Sequence, residues 1–320
     1  MDAQALVVPL ATFLGAEKFA APLPSSVLAA IEALTSHVSA PEYVRTPQFS
    51  RRSRRGGRDS RDIEWSGSGS GPLRDFKPTR IEKRAGVAGT IDRLRKHLNK
   101  MSDKTYEVLR DRSFAEIDGH EGGGESQEIA VAIFDVLSSN AFYGRLYASF
   151  YRELLTRYPA MRGVLERQLS GAPVTLVAVE YCDPKVDYDQ FCANNRKNAI
   201  LRGTAAFYVH LASLGVVSEE SVVALLRTIQ QALSSAPPTP ESGPLCDELS
   251  ERIFSMLSCP ASSCLCQATG WTAVVSNLTS YAEESPCPAR GVTAKSVFRH
   301  MDIVDIVKAR GESDRSASGR

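Results

Sequence analysis

The stretch TIDRLRKHLNKMSDKTYEVL, residues 90–109, decides the fold that the sequence predicts. Its apolar residues recur at intervals of three and four, which places them on one stripe of an α-helix while the basic residues face elsewhere. The stripe consists of Ile91, Leu94, Leu98 and Met101. Ser102 and Asp103 offer a capping hydroxyl and a first-turn carboxylate. We therefore expect one helix, a corner at Ser102 and a second helix that carries Tyr106 and Leu109.

Further pairs of helices with the same spacing are predicted along the chain. The predicted stripes are Ile129, Ile133, Val136 and Leu137; Phe142, Leu146, Phe150 and Leu154; Ile200, Thr204, Phe207, Leu211 and Leu214; Val222, Leu225, Leu226 and Ile229; Leu249, Ile253 and Leu257; Trp271, Val274, Val275 and Leu278; and Val297, Met301, Val304 and Val307. Two antiparallel helices cannot bury both of their apolar faces alone. We therefore expect an all-α fold in which about five HEAT-like helix pairs stack into an α-solenoid.

The pair between residues 200 and 229 has the clearest end signals. Gly215 is of the type that ends helices, and Ser218, followed by Glu219, is of the type that begins them. Gly203 lies inside the first helix, where glycine costs about 1 kcal/mol relative to alanine. We interpret Gly203 as a point of close approach by another helix. The run VTLVAV, residues 174–179, is β-like but has no partner strand, so we interpret it as a buried connection or helix segment.

Composition divides the chain into four parts. Residues 1–40 are apolar in patches and contain a short amphipathic helix around Val27 and Ile31. Residues 41–79 are rich in arginine, glycine and serine and predict a disordered linker. Residues 80–310 form the helical domain, and 311–320 a disordered tail. The N-terminal helix either packs on the helical domain or binds a partner, and the sequence favours neither interpretation.

An arginine cluster stands out in the linker. It consists of Arg51, Arg52, Arg54, Arg55, Arg58 and Arg61. Such a cluster attracts phosphates through counterion release and predicts RNA binding without sequence readout. The alternative interpretation is a solubilising segment or a localisation signal.

Composition points to a soluble protein of the cytoplasm or the nucleus. The chain has 320 residues, 43% of them hydrophobic and 23% charged, with a formal net charge of +1. The N-terminus lacks the positive segment of a secretory signal, and no apolar run approaches the roughly 20 residues of a membrane helix. The seven cysteines are an odd number without regular spacing, which predicts reduced thiols. We expect a cytoplasmic location and no membrane partner.

Sequence motifs for catalysis and metal binding are absent. No phosphate-binding glycine-lysine loop, nucleophile elbow or metal-binding helix motif occurs. Cys259, Cys264 and Cys266 lack the paired spacing of a zinc site, and His120 lies in a glycine-rich loop with few further ligands. We therefore predict no enzyme activity, no cofactor and no metal site.

Three ordered segments carry a family resemblance. LNKMSDKTY (residues 98–106), RKNAILRGTAAFYVHLASLGVVSEESV (196–222) and SVFRHMDIVDIVKAR (296–310) resemble, in order, the opening signature, the central helix pair and the closing helix of the middle domain of eukaryotic initiation factor 4G. The upstream run PLRDFKPTR (72–80) is similar to the lead-in of that domain. The resemblance extends over about residues 73–310. It implies a MIF4G-type solenoid of five HEAT-type helix pairs.

The resemblance also implies a function and a set of contacts. Members of this family act as translation initiation scaffolds that bind the DEAD-box helicase eukaryotic initiation factor 4A and mRNA. The larger scaffold also binds the cap-binding subunit (initiation factor 4E), the poly(A)-binding protein and initiation factor 3. Carried over by motif, the helicase contacts are Leu98, Met101, Tyr106 and Phe298. The alternative for these four residues is ordinary core packing.

The sequence departs from the family pattern at the motif that binds the cap-binding subunit, so other functions remain alternatives. The cap-binding subunit is usually held by a Tyr-x-x-x-x-Leu motif, but Tyr43 is followed by VRTPQF, with Gln48 where leucine is expected. Binding of that subunit is therefore not predicted from an intact motif. The alternatives are a middle-domain protein of mRNA splicing, decay or translational repression, and an RNA-binding regulator without a helicase partner.

Overall fold

A computed structural model describes residues 24–37, 85–120 and 124–318. In these ranges the chain forms α-helices joined by turns and short 3-10 helices, and it forms no β-strand there. A single-residue antiparallel bridge joins Cys287 to Val292. The predicted all-α fold class is confirmed for this part of the chain.

The chain divides into two compact units, Met1–Phe76 and Lys77–Arg320. In the first unit the structure describes helix α1, Ser25–His37. Val27 and Leu28 of α1 are exposed. Both interpretations of this helix, packing on the helical domain and binding a partner, therefore stay predictions.

The helices of the second unit follow one another with short connections. They are α2 (Gly86–Leu98), α3 (Tyr106–Asp118), α4 (Gly124–Ser139), α5 (Gly144–Arg157), α6 (Pro159–Thr175), α7 (Tyr188–Ser213), α8 (Glu219–Ser234), α9 (Gly243–Ser258), α10 (Trp271–Ala282) and α11 (Ala294–Ser318). The 3-10 helices are Ala141–Tyr143, Pro240–Ser242, Pro260–Gln267 and Pro288–Arg290.

The first pair, α2 and α3, forms as the opening stretch predicts. Ile91, Leu94 and Leu98 are buried along one face of α2, and Met101 is buried just beyond its end. The corner is held by Thr105, whose hydroxyl donates to the carbonyl of Lys100 at 2.9 Å and accepts from the amide of Ser102 at 2.9 Å. This differs from the predicted cap at Ser102, because α3 begins only after Thr105 and the hydroxyls stabilise the corner instead.

The helices contact one another in two rows. In the first row, α2 contacts α4, α4 contacts α7, α7 contacts α9, and α9 contacts α11. In the second row, α5 contacts α6, α6 contacts α8, and α8 contacts α10, while Phe114 of α3 stacks on Phe150 of α5 at 5.8 Å. Contacts between the rows enclose one continuous apolar core.

Helix α7 is central because it packs against helices of both rows. It is 26 residues long, and Ala205 to Ala212 are all buried. A Cβ atom added at Gly203 would lie 2.5 Å from the carbonyl oxygen of Ser139, so the predicted close approach at Gly203 is confirmed. Gly215 has a φ of +68°, a left-handed conformation that glycine adopts without strain. The side chain of Ser218 caps α8 by accepting from the amide of Ser221 at 3.1 Å.

A buried arginine joins α9 to the segment that precedes α7. Arg252 is 0% exposed, and its Nη1 donates to the carbonyls of Leu176 (2.8 Å) and Ala178 (2.9 Å). Its Nη2 donates to Oδ1 of Asn198 at 3.0 Å, and its Nε donates to Oε1 of Glu248 at 3.3 Å. These bonds fix the start of the long connection between α6 and α7.

Some sequence-based boundaries need correction. The 3-10 turn Ala141–Tyr143 comes before α5, so Phe142 lies outside the predicted stripe and is 86% exposed. Helix α6 runs to Thr175, so the β-like run is split between a helix end and a connection in which Leu176 is buried. Helix α11 extends to Ser318 and so includes most of residues 311–320, for which the sequence predicts a disordered tail.

Candidate partner-binding surfaces

The four residues predicted to contact a helicase occupy different environments. Leu98 and Met101 are 1% and 2% exposed and belong to the core. Their apolar spacing fits helix packing, and both side chains pack in the apolar core. Tyr106 is half-buried, and Phe298 is 60% exposed. A surface contact is therefore available to Tyr106 and Phe298, and the contact predicted for Leu98 and Met101 is corrected to core packing.

Tyr106 lies in a groove between α3 and α5, which we call the Tyr106 groove. The groove has a volume of about 420 Å³. It is lined by Asp103, Lys104, Tyr106, Glu107, Val108, Leu146, Ser149 and Glu153. Val108 is exposed and lines the same groove, so the groove combines apolar walls with a charged rim.

The tyrosine is held rigidly by its neighbours. Its hydroxyl donates to Oε1 of Glu153 at 2.7 Å, and the edge of its ring packs on Phe150 at 6.3 Å. Burial, and then the hydrogen bond to Glu153, raise the pKa of Tyr106 above its ordinary value. The hydroxyl therefore stays protonated at neutral pH. Arg110 lies 5.9 Å from the ring centre and 3.7 Å from Oε2 of Glu153, and it adds a positive charge to the rim.

The second surface is on the last helix and is formed by Phe298 and Met301, one turn apart on α11. Both side chains are exposed, which corrects the prediction that Met301 lies in the core with Val297. Between them Arg299 lies 4.2 Å above the ring of Phe254 and donates to Oε1 of Glu251 at 2.8 Å. These contacts tie α11 to α9, so Phe298 is presented on a fixed helix.

The two surfaces belong to the two ends of the helical unit. Tyr106 is on α3, in the second row, and Phe298 is on α11, in the first row.

Sequence reasoning missed Val108, although the sequence contains a signal for it. The buried residues of α3 are Leu109, Ser113 and Ile117, at intervals of four. Val108 is one position off this stripe, and an apolar residue at such a position on an amphipathic helix faces solvent. Phe298 stands in the same relation to the buried Val297.

The arginine cluster lies outside the described residues. The same holds for the linker of residues 41–79 and for Tyr43. RNA binding by the cluster therefore stays a prediction from sequence.

The described side chains offer no cluster typical of a metal centre, and three of the cysteines are protonated thiols. Within residues 24–37, 85–120 and 124–318, no three His, Cys, Asp or Glu residues are placed to hold a metal ion. Burial raises the pKa of Cys264 to about 11 and also raises the pKa values of Cys246 and Cys259, so these thiols are protonated at neutral pH. The ring of His120 is engaged by Oγ1 of Thr90 at 2.9 Å and by Oε2 of Glu125 at 2.9 Å.

Two further observations bear on function. Among the described helices none is both long and apolar enough to cross a membrane. Compared with models of protein families and with curated proteins, the sequence gives no match. The two surfaces and the sequence segments that resemble the initiation scaffold are therefore the features that indicate a function.

Proposed function

We propose that the helical unit is an α-solenoid of HEAT-type pairs and acts as a translation initiation scaffold of the initiation factor 4G type. The order of helix contacts supports the solenoid, because the helices of each row contact their neighbours in chain order. In a solenoid each repeat contacts only its neighbours, so the first and the last repeat do not touch each other.

The observation that carries the proposed function is a partly exposed tyrosine, Tyr106, in the first helix pair and an exposed phenylalanine, Phe298, in the last helix. Tyr106 with Val108, and Phe298 with Met301, are apolar groups presented on rigid helices. Aromatic anchors on a rigid support are typical of the centres of protein interfaces. The quoted segments 98–106 and 296–310 are the ones that resemble the helicase-contacting parts of the family.

In this proposal each surface binds one lobe of a DEAD-box helicase, eukaryotic initiation factor 4A. Binding the closed, RNA-competent arrangement of the lobes better than the open one raises the population of the closed state. The arginine cluster holds mRNA near the helicase and raises its effective concentration. The reaction itself stays with the helicase, and the scaffold contributes binding free energy only.

The helicase surfaces are tested with Val108→Asp and Phe298→Asp. We expect each variant to bind purified initiation factor 4A at least about thirtyfold more weakly, because a charge at an interface anchor costs about 2 kcal/mol or more. Isothermal titration calorimetry measures the affinity, and circular dichroism checks the fold. Both side chains are exposed, so the helical signal should not change.

Val186→Asp is the matched control for these two variants. Val186 is exposed in the connection before α7 and belongs to neither surface. Equal affinity of all three variants and the wild-type chain for the helicase would refute the assigned surfaces. Affinity purification in which a splicing or mRNA-decay helicase replaces initiation factor 4A would favour another branch of the middle-domain group.

RNA binding by the arginine cluster has its own test. Replacing Arg51, Arg52, Arg54, Arg55, Arg58 and Arg61 with glutamine should weaken binding to single-stranded RNA. The slope of log affinity against log salt should become shallower by up to about 4, at about 0.7 per lost phosphate contact. Replacement of the same residues with lysine, which keeps the charge, is the control and should preserve most of the slope. An unchanged slope in the glutamine variant would assign RNA binding elsewhere.

A further inference from the structure

A polar cavity opens between α8 and α10, away from the two surfaces described above. Its volume is about 650 Å³. The side chains that matter here are Arg227, Gln230, Asn277, Tyr281 and His300. None of the residues of the Tyr106 groove and neither Phe298 nor Met301 takes part in it.

The side-chain carboxamides of Gln230 and Asn277 line this cavity. Gln230 is buried and donates from Nε2 to the carbonyl of Val274 at 3.0 Å, and it accepts from Nδ2 of Asn277 at 3.4 Å. A carboxamide carries two N–H groups and a carbonyl oxygen, so Asn277 has donor and acceptor capacity beyond this pair. Such groups match the alternating N–H and C=O groups of an extended peptide backbone.

His300 also lines the polar cavity, and its Nε2 atom is a hydrogen-bond acceptor. Its Nδ1 lies 2.9 Å from the carbonyl oxygen of Ser296, and because a carbonyl only accepts, Nδ1 carries the proton. Burial lowers the pKa of His300, so the ring is neutral at pH 7. Nε2 is then an acceptor. The ring lies against Tyr281 with a centroid separation of 4.3 Å, which fixes its orientation.

A second cavity lies on the other side of α8 and is mainly apolar. It has a volume of about 400 Å³, lies between α6 and α8, and is walled by Leu169, Pro173 and Leu225. The two cavities share the lining residues Ala224 and Thr228. Both of these side chains are small, so little side-chain volume separates the two cavities where α8 lies between them. A chain that crosses α8 can reach both cavities.

Charge distinguishes the polar cavity from a nucleic-acid groove. Arg227 is exposed and forms no ion pair with the described residues. Glu284, on the same cavity, lies 4.0 Å from Arg290, and Glu166 lines the apolar cavity. The guanidinium of Arg227 can pair with one carboxylate of a ligand. The carboxylates of Glu284 and Glu166 would repel a run of phosphates.

We infer that the two cavities form one groove across α8 that binds an extended peptide segment of a partner protein. The peptide places an acidic side chain at Arg227, an apolar side chain in the cavity of Leu169, and its backbone along the amides of Gln230 and Asn277. Recognition of this kind combines backbone hydrogen bonds for affinity with side-chain pockets for specificity. The site extends the proposed function without depending on it, because it uses helices α6, α8 and α10.

The probe is a random 12-residue peptide library displayed on phage and selected against the full chain. The selected peptides should share an acidic and an apolar residue at a constant spacing. A synthetic consensus peptide should bind the Arg227→Glu variant at least tenfold more weakly, as measured by fluorescence anisotropy. Changing the acidic residue of that peptide to lysine should restore binding to Arg227→Glu, which a merely structural effect of the substitution would not do.

Ala224→Arg tests whether the peptide passes over α8 from one cavity to the other. Ala224 is exposed, so the larger side chain fits the fold but blocks the path over α8, and binding of the consensus peptide should be lost. Lys308→Glu, on α11 and outside both cavities, is the charge control and should bind as the wild-type chain does. The inference is overturned if no peptide is enriched, if the enriched peptides bind Ala224→Arg unchanged, or if single-stranded RNA occupies the groove instead.

Discussion

Replacing Gly203 with alanine is expected to lower the free energy of unfolding by up to about 2 kcal/mol, the net of an overpacking cost and a gain in helix propensity. The added methyl group would meet three backbone atoms of Ser138 and Ser139, the nearest being a carbonyl oxygen at 2.5 Å. These atoms belong to the end of α4 and cannot move without separating α4 from α7. Overpacking of this kind costs about 1–3 kcal/mol, and occasionally more. Alanine gains about 1 kcal/mol of helix propensity, so the clash decides the sign.

Gly163→Ala is the matched control for this substitution. Gly163 also lies inside a helix, α6, but a Cβ atom added there would meet nothing within 4 Å. This variant should therefore be stabilised by up to about 1 kcal/mol through the unfolded chain and the helix propensity.

The comparison is made by urea denaturation of both variants. Thermal unfolding should show the same order, with a shift of roughly 2–4 °C per kcal/mol for a domain of this size. A Gly203→Ala protein as stable as the Gly163→Ala protein would mean that α4 and α7 are not in close contact in solution.

The same glycine shows what the sequence could reveal. A good helix former is the usual residue in the middle of a helix, so a glycine at that position by itself indicates a closely packed neighbour. The cap at Ser218 and the left-handed Gly215 were predictable for the same reason: each is a local conformation that selects a residue type. Local signals of this kind located these helix ends, but the sequence predicted no apolar stripe for α6, Pro159–Thr175.

Exposure was harder to predict than secondary structure. The helical period groups Leu98 with Ile91 and Leu94, but it does not tell which groups face another helix and which face a partner. Leu98 lies on the buried stripe of α2, whereas Phe298 lies one position off the buried Val297 of α11 and is exposed. Whether an apolar stripe faces a helix of the other row or solvent depends on tertiary contacts. Sequence spacing alone does not contain that information.

The extent of the last helix was also underestimated. The tail after Arg310 has few apolar residues, which predicts disorder when helix packing is the criterion. Helix α11 nevertheless continues to Ser318. Once a helix is nucleated, each further residue adds a hydrogen bond, so a polar end can extend it without packing.

The buried arginine was not predicted, because its partners are widely separated in the chain. Arg252 resembles any basic residue of an amphipathic helix, and nothing near it in sequence indicates two carbonyl acceptors more than 70 residues away. Burial raises the pKa of Glu248 and lowers that of Arg252, so both charges carry a desolvation cost. What the arginine provides in return is an anchor for the connection after Leu176, through its bonds to the carbonyls of Leu176 and Ala178.

Replacing Arg252 with methionine is expected to destabilise the chain by about 3 kcal/mol or more, because three acceptors that bond the buried guanidinium lose their donor at about 1–3 kcal/mol each. The carboxylate of Glu248 stays paired, since Nη1 of Arg202 lies 2.5 Å from its Oε2. Methionine keeps much of the volume, but the carbonyls of Leu176 and Ala178 lose their donor. Arg252→Lys should recover only part of the loss, since one ammonium group cannot reproduce the planar fork that reaches both carbonyls and Asn198. Denaturation midpoints give the order wild type, lysine, methionine.

Lys197→Met serves as the control, because it removes an ion pair from the same connection at the surface. The ammonium of Lys197 lies 2.6 Å from Oε2 of Glu180, and both side chains are more than half exposed. Exposed pairs contribute about 0–1 kcal/mol, so this variant should stay within about 1 kcal/mol of the wild-type chain.

Limited proteolysis separates loss of the local anchor from general destabilisation. In Arg252→Met the connection between α6 and α7, residues 176–187, should be cut faster than any other connection, because its anchor is gone. Gly203→Ala, destabilised by the clash at α4, should show no such preference for that connection. An equal cleavage pattern in the two variants would mean that Arg252 stabilises the core as a whole and does not hold the connection.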